Sequence, residues 1–458
     1  MGLTAPCAPR GISVLTEEEN ATLTQTGPGT SMGEVFRSYW LPVLLSRELE
    51  MDGPPKRIRI LSEDFLAFRD SDGRVGIVEP RCPHRGADLF LGRNESGGLR
   101  CAYHGWKFTA DGSCTDVPTA TPSVAEDLKE RARIRALQVA EYGDLVWAYW
   151  GNDAPPLPRF EFAELPAEHR FVAKKFQQCN WAQAAEGGLD TAHFSYLHAN
   201  VHEGERAPLL PSQGDNEPPA TARYRWLIED GAPRFTVLQH DSGLLLGAAR
   251  NADDNQLYWR ITQFMMPSHS LAPNSFPGDL NQGNSWIPVD DVSCWIFCFA
   301  YHTERPLTEA EHGLLAKGFG IFAEVDEDFV PIRNRENDYL IDREAQKHSS
   351  FTGIQGVSEQ DAAIADSQGL IVDRTRELLG QTDLGVVRFR QLMLNAARAL
   401  GAGTPPPGAT APNAYMIRSG DAMSSRDADL TAVVEARFGE LAGTGVAPYS
   451  PPPAAKQR

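Results

Sequence analysis

The sequence of 458 residues is long enough for two or three domains, and its 41% hydrophobic and 23% charged content is typical of a folded globular protein. Its 61 acidic against 43 basic residues give a formal net charge of −18, which disfavours nucleic acid or an anionic membrane as a partner. No apolar run approaches the ~20 residues of a membrane span. The first residues lack the basic start and apolar core of an export signal, so we expect a cytoplasmic protein.

The opening third contains short alternating segments separated by turn residues, the pattern of a small antiparallel β domain. Strands are predicted at 56–61, 65–69, 74–78 and 145–151. A Pro-rich stretch at 153–158 then interrupts the pattern and is typical of a linker between domains.

Two short motifs in this β domain carry metal-binding side chains. Cys82 and His84 lie two residues apart, and Cys101 and His104 lie three residues apart further along. Two thiolates and two imidazoles are the ligands of a Rieske [2Fe–2S] centre, in which thiolates hold one iron and imidazoles the other. A structural zinc ion takes the same ligand types, although its usual order is a Cys pair followed by a His pair. Unrelated core cysteines and histidines are the remaining alternative.

Residues 179–199 have helical character and carry a second candidate metal site. His193 and His198 are five residues apart, so both suit one metal only if the helix ends or bulges between them. Two imidazoles and one carboxylate, with open positions for O₂, are the ligands of mononuclear non-haem iron(II). A lone pair of histidines is more often structural, but an upstream redox cluster favours the metal site because O₂-activating iron accepts its electrons.

The remaining chain predicts strands followed by helices. Residues 221–302 are rich in aromatic and β-branched types, which favour strands. Thr308 with Glu311 three residues later is the capping-box pattern of a helix start, and another helix is predicted over 384–400. From Gly401 onward the chain is rich in Pro, Gly and Ala, so we expect an extended or partly disordered tail with a short helix at 432–441.

Several motifs resemble one family. CPHRGA at 82–87 and CAYHGWKF at 101–108 resemble the Rieske domain of ring-hydroxylating non-haem iron oxygenases. The pattern NW…E…D..H….H, which begins at Asn180, resembles their iron-binding segment. TGPGT, RSYWLP, WIPVDD and NDYLIDR are similar to segments of the phthalate dioxygenase branch, and the resemblance extends to about residue 400.

This resemblance implies an α+β fold. An antiparallel-β Rieske [2Fe–2S] domain lies beside a helix-grip (START-like) catalytic domain, in which an antiparallel sheet surrounds a long helix. The implied divisions are an N-terminal segment at 1–40 that packs on the catalytic domain, the Rieske domain at 41–155, the catalytic domain at 156–400 and a C-terminal extension at 401–458.

The resemblance also assigns roles to individual residues. The expected ligands are Cys82, His84, Cys101 and His104 for the cluster, and His193, His198 and Asp361 for the mononuclear iron. Asp366 is the fallback for the carboxylate ligand and Asp328 a distant third. Asp190 is expected to bridge an iron ligand and a Rieske histidine of the neighbouring subunit, and Asn180 and Glu186 to support the site by hydrogen bonding.

The implied function is the terminal oxygenase component of a multicomponent system, with O₂ as co-substrate and a small aromatic substrate. The chain has no glycine-rich dinucleotide fingerprint, so electrons are expected from a separate NAD(P)H-dependent flavin and iron–sulfur reductase. The family also implies a homotrimer or stacked trimers. Arg250 and Arg260 lie in predicted strands that should line the pocket, and an arginine fork pairs with a carboxylate, so we expect a phthalate-like acid.

Two alternatives remain open. The same metal ligands serve an O-demethylating or C–H hydroxylating monooxygenase acting on a methoxylated aromatic or another substrate. A Rieske electron-transfer protein without oxygenase activity would need only the cluster, and would leave His193 and His198 without a purpose.

Overall fold

The computed structural model describes residues 14–202, 205–207, 219–273 and 280–443. Two short helices open the described chain, α1 (Glu17–Thr24) and α2 (Ser31–Arg37). Thr16 accepts a hydrogen bond from the Glu19 N–H at the start of α1, and the Glu19 carboxylate accepts one in return. This reciprocal cap stabilises a helix too short to persist alone.

Residues 41–149 form three small antiparallel sheets, ordered β2-β3-β4, β1-β10-β9 and β5-β6-β7-β8. The predicted strands at 56–61, 65–69, 74–78 and 145–151 are confirmed. One helix, α3 (Pro122–Arg131), separates β8 from β9. The strands are β1 (Leu41–Leu45), β2 (Lys56–Ile60), β3 (Glu63–Arg69), β4 (Val75–Val78), β5 (Arg93–Asn94), β6 (Leu99–Arg100), β7 (Lys107–Phe108), β8 (Cys114–Asp116), β9 (Gln138–Tyr142) and β10 (Leu145–Tyr149).

The second half of the chain is built on an eight-stranded antiparallel sheet with the order β11-β19-β18-β17-β16-β15-β14, to which β20 adds beside β16. A separate two-stranded ribbon joins β12 to β13. The strands are β11 (Arg170–Gln177), β12 (Asn200–His202), β13 (Glu205–Ala207), β14 (Arg234–His240), β15 (Gly243–Asn251), β16 (Gln256–Met265), β17 (His269–Ala272), β18 (Asn281–Asp290), β19 (Ser293–Tyr301) and β20 (Gly420–Ser425).

Helices lie on both faces of this sheet, because the successive residues Leu246 and Gly247 of β15 point to opposite faces and contact helical residues Gly385 and Leu430. The helices are α4 (Glu161–Glu164), α5 (Trp181–Leu189), α6 (Pro219–Glu229), α7 (Glu309–Ala316), α8 (Arg343–His348), α9 (Val357–Ser367), α10 (Leu384–Gly401) and α11 (Leu430–Phe438). Phe389 on α10 packs edge-on against Phe264 of β16 and Trp181 of α5, with ring centroids 5.0 and 6.0 Å apart. The sheet therefore grips α10, the arrangement expected for a helix-grip domain, and α1 and α2 pack on the same helix.

Three predictions about secondary structure were wrong in part. The helix expected over 179–199 ends at Leu189, after a Gly-Gly pair that weakens its last turn. Residues 219–229 form α6 and not a strand, because Tyr224, Leu227 and Ile228 recur at helical spacing and are buried together. Residues 420–425 of the expected tail form β20, which pairs with 256–261 of β16. The short helix expected near 432–441 is confirmed as α11.

The core is continuous between α1, α2, the sheet β1-β10-β9 and the large sheet, while the cluster motifs sit over a separate small core. Within the described ranges, no helix combines the length and apolar character needed to cross a bilayer.

Candidate metal centres and substrate cavity

The two Cys–His motifs lie in two loops of matching geometry, one between β4 and β5 and the other between β6 and β7. The N–H of each cysteine donates to the carbonyl of the residue five positions later in the chain. Cys82 donates to Ala87 at 2.9 Å, and Cys101 donates to Trp106 at 2.8 Å. The glycines four residues after the cysteines, Gly86 and Gly105, donate back to the cysteine carbonyls at 2.9 and 3.0 Å. Both have positive φ, +72° and +74°, a conformation that favours glycine. The two loops therefore present their side chains as similar turns.

The four side chains of these loops suit a two-iron cluster. Cys82 and Cys101 are buried, and the rings of His84 and His104 lie 4.5 Å apart. His84 stacks flat on Trp106, and its buried Nδ1 has no hydrogen-bond partner, which coordination to iron would supply. Burial, with a smaller contribution from Cys101, raises the pKa of Cys82 to about 11, so its thiolate needs a metal cation beside it.

The second site forms where α5 ends. His193 and His198 follow the helix in a loop, and Asp361 reaches them from α9. The His198 Nε2 atom lies 3.1 Å from the Asp361 Oδ1 atom and 3.1 Å from the His193 Nε2 atom, and His193 Nε2 lies 3.5 Å from Asp361 Oδ1. Two atoms at about 2.1 Å from one ion, on adjacent octahedral positions, lie about 3.0 Å apart. The three ligand atoms thus fit one metal ion.

The second nitrogen of each imidazole has its own partner. His193 Nδ1 lies 3.3 Å from the Asp190 carboxylate, and that carboxylate also accepts from the Ala192 N–H at 2.7 Å. His198 Nδ1 lies 2.7 Å from the Gln360 Oε1 atom. Burial alone would lower the pKa of His193, but the Asp190 and Asp361 carboxylates raise it above its usual value. Both rings are therefore held with Nε2 towards the metal position.

The other carboxylates considered from the sequence lie elsewhere. Asp366 shares α9 with Asp361, but five residues turn a helix by about 500°, which separates the two side chains by about 140° around the axis. The Asp366 carboxylate accepts from the Tyr339 hydroxyl at 2.5 Å and from the Gln177 amide at 3.2 Å. Asp328 is exposed in a turn between α7 and α8.

Asn180 and Glu186 anchor α5 and do not touch the three metal-facing side chains. Asn180 caps the helix through the Ala182 N–H at 3.1 Å, and its amide donates to the Thr24 and Asp291 carbonyls. Glu186 accepts from two buried arginines, Arg374 at 3.0 Å and Arg390 at 2.7 Å. Their hydrogen bonds position the helix from which His193 follows.

The two arginines predicted to bind substrate are buried behind the iron site. Arg250 donates to the Asp230 and Thr191 carbonyls at 3.1 and 2.6 Å, and burial lowers its pKa to about 10. The Arg260 guanidinium carbon lies 4.6 Å from the centroid of the Phe194 ring, next to His193. The Arg250 Nη1 and Arg260 Nε atoms are buried without a hydrogen-bond partner. Each arginine thus retains an unused donor.

A cavity of 260 Å³ borders the iron site at His198. Its walls combine apolar and charged side chains, and neither Arg250 nor Arg260 is among the described residues that line it. The lining includes Phe194, Tyr224, Leu227, Ile228, Leu314, Phe319, Lys317, Glu324, Arg333 and Glu359. Apolar walls with a few charged groups are typical of small-molecule sites.

Sequence reasoning missed the partners of the metal-facing residues. Gln360 lies 162 positions after its partner His198. Arg374 and Arg390 lie 188 and 204 positions after their partner Glu186. No local sequence pattern links residues this far apart. The only available signal was that Gln360 directly precedes Asp361.

Comparisons with known proteins agree with this geometry. Residues 39–141 match the family described as Rieske [2Fe-2S] domain, and residues 148–436 match that described as LigXa C-terminal domain like. The 3-chlorobenzoate-3,4-dioxygenase oxygenase subunit of Comamonas testosteroni is 36% identical over 92% of this chain and 98% of its own. The phthalate 4,5-dioxygenase oxygenase subunit of Pseudomonas putida is 38% identical over 85% of this chain and 88% of its own.

Among solved structures, dicamba monooxygenase bound to dicamba has the same fold, with a TM-score of 0.54 and 18% sequence identity over 80% of this chain and 99% of the other. The family matches and the two close relatives, taken with the paired Cys–His loops, settle the membership. The chain belongs to the Rieske non-haem iron oxygenases of the phthalate dioxygenase type, enzymes that combine a Rieske [2Fe–2S] cluster with a mononuclear iron and use O₂.

Proposed function

We propose that this oxygenase inserts oxygen into a small aromatic carboxylate, with electrons supplied by a separate NAD(P)H-dependent flavin and iron–sulfur reductase. The observation that carries the proposal is the convergence of His193, His198 and Asp361 at 3.1–3.5 Å, next to a cavity with apolar and charged walls. When bound, the cluster relays single electrons and the ferrous ion activates O₂. The chain's own contribution is to orient the ligands and to enclose the substrate.

The proposed iron ligands are testable by metal analysis. We expect Asp361→Ala to lose the mononuclear iron and all oxygenase activity while the visible absorption of the cluster persists, because its carboxylate is the only one described within 3.5 Å of both imidazoles. Asp366→Asn is the matched control on the same helix and should retain iron, since its carboxylate bonds to Tyr339. Iron retained by Asp361→Ala and lost by Asp366→Asn would reverse the assignment.

An aromatic carboxylate is supported by the buried cations near the site. Arg250 and Arg260 lie behind the cavity wall and not in its lining, but each carries a buried donor without a partner, and a carboxylate that reached them would be an acceptor with two oxygens. The two relatives are named for phthalate and chlorobenzoate, both aromatic carboxylates. We expect Arg260→Gln and Arg250→Gln to raise the KM for such an acid more than the KM for its uncharged amide. Unchanged KM values in both variants would contradict the proposal.

We also propose that electrons pass between chains of a homotrimer, or of stacked trimers, with Asp190 as the bridge. The Asp190 carboxylate is 28% exposed and borders a 210 Å³ concavity lined by His193, Glu377 and Asp383. The cluster loops expose Arg85 and Tyr103. An acidic concavity and a cationic loop tip are complementary surfaces for a head-to-tail ring.

This arrangement is testable by mixing two inactive variants. A chain with Cys101→Ser lacks the cluster and a chain with Asp361→Ala lacks the iron, but co-expression produces rings in which an intact cluster faces an intact iron on the next subunit. We expect such mixed rings to regain part of the activity. Mixed rings with no activity would place the transfer within one chain.

The domain division that we propose keeps an N-terminal segment at 1–40, a Rieske domain at 41–155 and a catalytic domain from 156. The support for it is the coil at 154–160 and the packing of α1 and α2 on α10. Residues 420–438 belong with the catalytic domain, because β20 pairs with β16 and α11 packs on β20.

A further inference from the structure

Gln360 connects the carboxylate-bearing helix to the imidazole on the opposite side of the iron site. Its Oε1 atom lies 2.7 Å from His198 Nδ1, and its Nε2 atom donates to the Ile354 carbonyl at 2.8 Å. Gln360 and His198 are 2% and 4% exposed, so water does not compete for these contacts. The contact is made by the residue directly before Asp361 on α9.

The Ile354 carbonyl fixes which way the Gln360 amide points. A carbonyl oxygen accepts only, so the amide group that faces Ile354 must be the NH₂, and the amide oxygen must face His198. An amide oxygen also accepts only, which requires a proton on His198 Nδ1. The neutral imidazole then carries its lone pair on Nε2, the atom 3.1 Å from Asp361 Oδ1.

We propose that Gln360 is a positioning residue that fixes the tautomer and ring orientation of His198 and thereby strengthens Fe(II) binding. The proposal rests on His198 as an iron ligand. It also gives the site an asymmetry: His193 is held by the charged Asp190 carboxylate, whereas His198 is held by a neutral amide that shares a helix with the third ligand. Any shift of α9 therefore moves Asp361 and the support of His198 together.

The test compares variants that keep or remove the acceptor. Gln360→Met has similar length and no strong acceptor, and we expect it to bind Fe(II) about 10–100-fold more weakly, as loss of an outer hydrogen-bond partner does elsewhere. Gln360→Glu keeps an acceptor for Nδ1 and, as the neutral carboxyl that this buried position favours, a donor for the Ile354 carbonyl, so it should bind within about threefold of wild type. The measurement is an anaerobic Fe(II) titration of iron-depleted protein against a chromogenic chelator, with the visible absorption of the cluster recorded in the same samples.

Gln183→Met is the matched structural control. Gln183 is an equally buried glutamine that donates to the Ala365 and Gly369 carbonyls at 2.8 and 2.7 Å, so it ties the end of α9 to α5 without touching an iron ligand. We expect this variant to lose thermal stability and to keep its Fe(II) affinity. If Gln183→Met weakens Fe(II) binding as much as Gln360→Met, general loosening of α9 explains the effect and the proposal is wrong.

His198→Ala, measured in parallel, separates this proposal from the one on which it rests. Fe(II) binding unchanged in His198→Ala would remove His198 from the ligand set. Loss of iron in His198→Ala with full affinity in Gln360→Met would overturn the role of Gln360 alone. An Fe(II) affinity of Gln360→Glu that is about tenfold or more below wild type would also overturn it, and this comparison stands even if the Met variant does not fold.

Discussion

The buried ion group around Glu186 provides the sharpest test of what holds the catalytic domain together. The Glu186 carboxylate accepts from Arg374 Nε and Nη2 at 3.0 and 3.1 Å and from Arg390 Nε at 2.7 Å. Burial alone would raise the pKa of Glu186, but the two guanidinium groups hold it below its ordinary value of 4.5. Glu186→Gln keeps the shape of the side chain and removes the charge that both arginines use.

Removing the negative charge of Glu186 affects the two arginines differently. Arg390 retains the Glu377 carboxylate at 3.0 Å, whereas Arg374, which is 0% exposed, keeps the neutral Asn20 amide oxygen at 3.0 Å and has no other carboxylate partner among the described residues. One buried guanidinium is therefore left without a counter-charge. Breaking a buried pair in this way costs about 3–5 kcal/mol, and we expect the lower end, roughly 3 kcal/mol, because the Asn20 contact persists. The corresponding fall in Tm is roughly 6–12 °C for a domain of this size.

The assay is thermal and urea unfolding of Glu186→Gln and wild type at pH 7.5, followed by circular dichroism. Glu377→Gln is the control, since Glu377 is 22% exposed and pairs with Arg390 alone; it should cost less than about 1 kcal/mol. The contribution of Glu186 is fully present above pH 4.5 and declines as the pH falls through its lower folded pKa, so the two proteins should converge in acid. Equal stability of Glu186→Gln and wild type at pH 7.5 would refute the reasoning.

Two further predictions concern acid stability and the cluster loops. Burial lowers the pKa of His269 to about 3, so the unfolded chain takes up a proton below pH 6.5 that the folded chain does not. His269→Phe should therefore reduce the slope of unfolding free energy against pH by about 1.4 kcal/mol per pH unit between pH 6 and 4, and an unchanged slope in urea titrations would contradict this. A Cβ added at Gly86 has no atom within 4 Å, so Gly86→Ala should lower the stability of its loop only by the roughly 1 kcal/mol that a positive φ costs a non-glycine residue. A Cβ added at Gly105 lies 2.8 Å from the Pro118 side chain. We expect Gly105→Ala to lose more cluster absorbance per chain than Gly86→Ala; equal losses would show that the Pro118 contact relaxes freely.

The sequence predicted the parts of the site whose residues are neighbours in the chain. Cys82 with His84, and His193 with His198, are close enough in the chain that their spacing indicated metal binding. The helix was expected to end or bulge between His193 and His198, but it ends at Leu189, before both histidines, so helical spacing does not limit how they meet. Asp361 came from family resemblance, because a carboxylate 163 residues beyond His198 has no local signature.

The contacts that were missed depend on tertiary packing. In the sequence nothing distinguishes Gln360 from the other glutamines. Its role becomes visible only when the packing of α9 brings its amide to His198. The segment GDAMSS of β20 has few β-formers, and becomes a strand because β16 offers a free edge at 256–261 beyond the short strand β17. Conversely, Trp226 and its neighbours resembled a strand by composition, whereas their spacing fits the helix α6.

The pairing of β20 with β16 has a consequence for biosynthesis. Residues 41–149 contain all strands of their three sheets, and both cluster loops lie over a small core of their own, although the sheet β1-β10-β9 shares its core with the large sheet. The cluster-bearing part can therefore fold and accept its cluster while the rest of the chain is still being made. The catalytic sheet cannot be completed as early, because β16 pairs with a strand at 420–425 and α1 and α2 pack on α10, which are both synthesised late. We therefore expect ribosome-bound chains that end at 380 to contain protease-resistant Rieske domain and protease-sensitive catalytic domain. The Rieske cluster would then be inserted before the mononuclear iron site has formed.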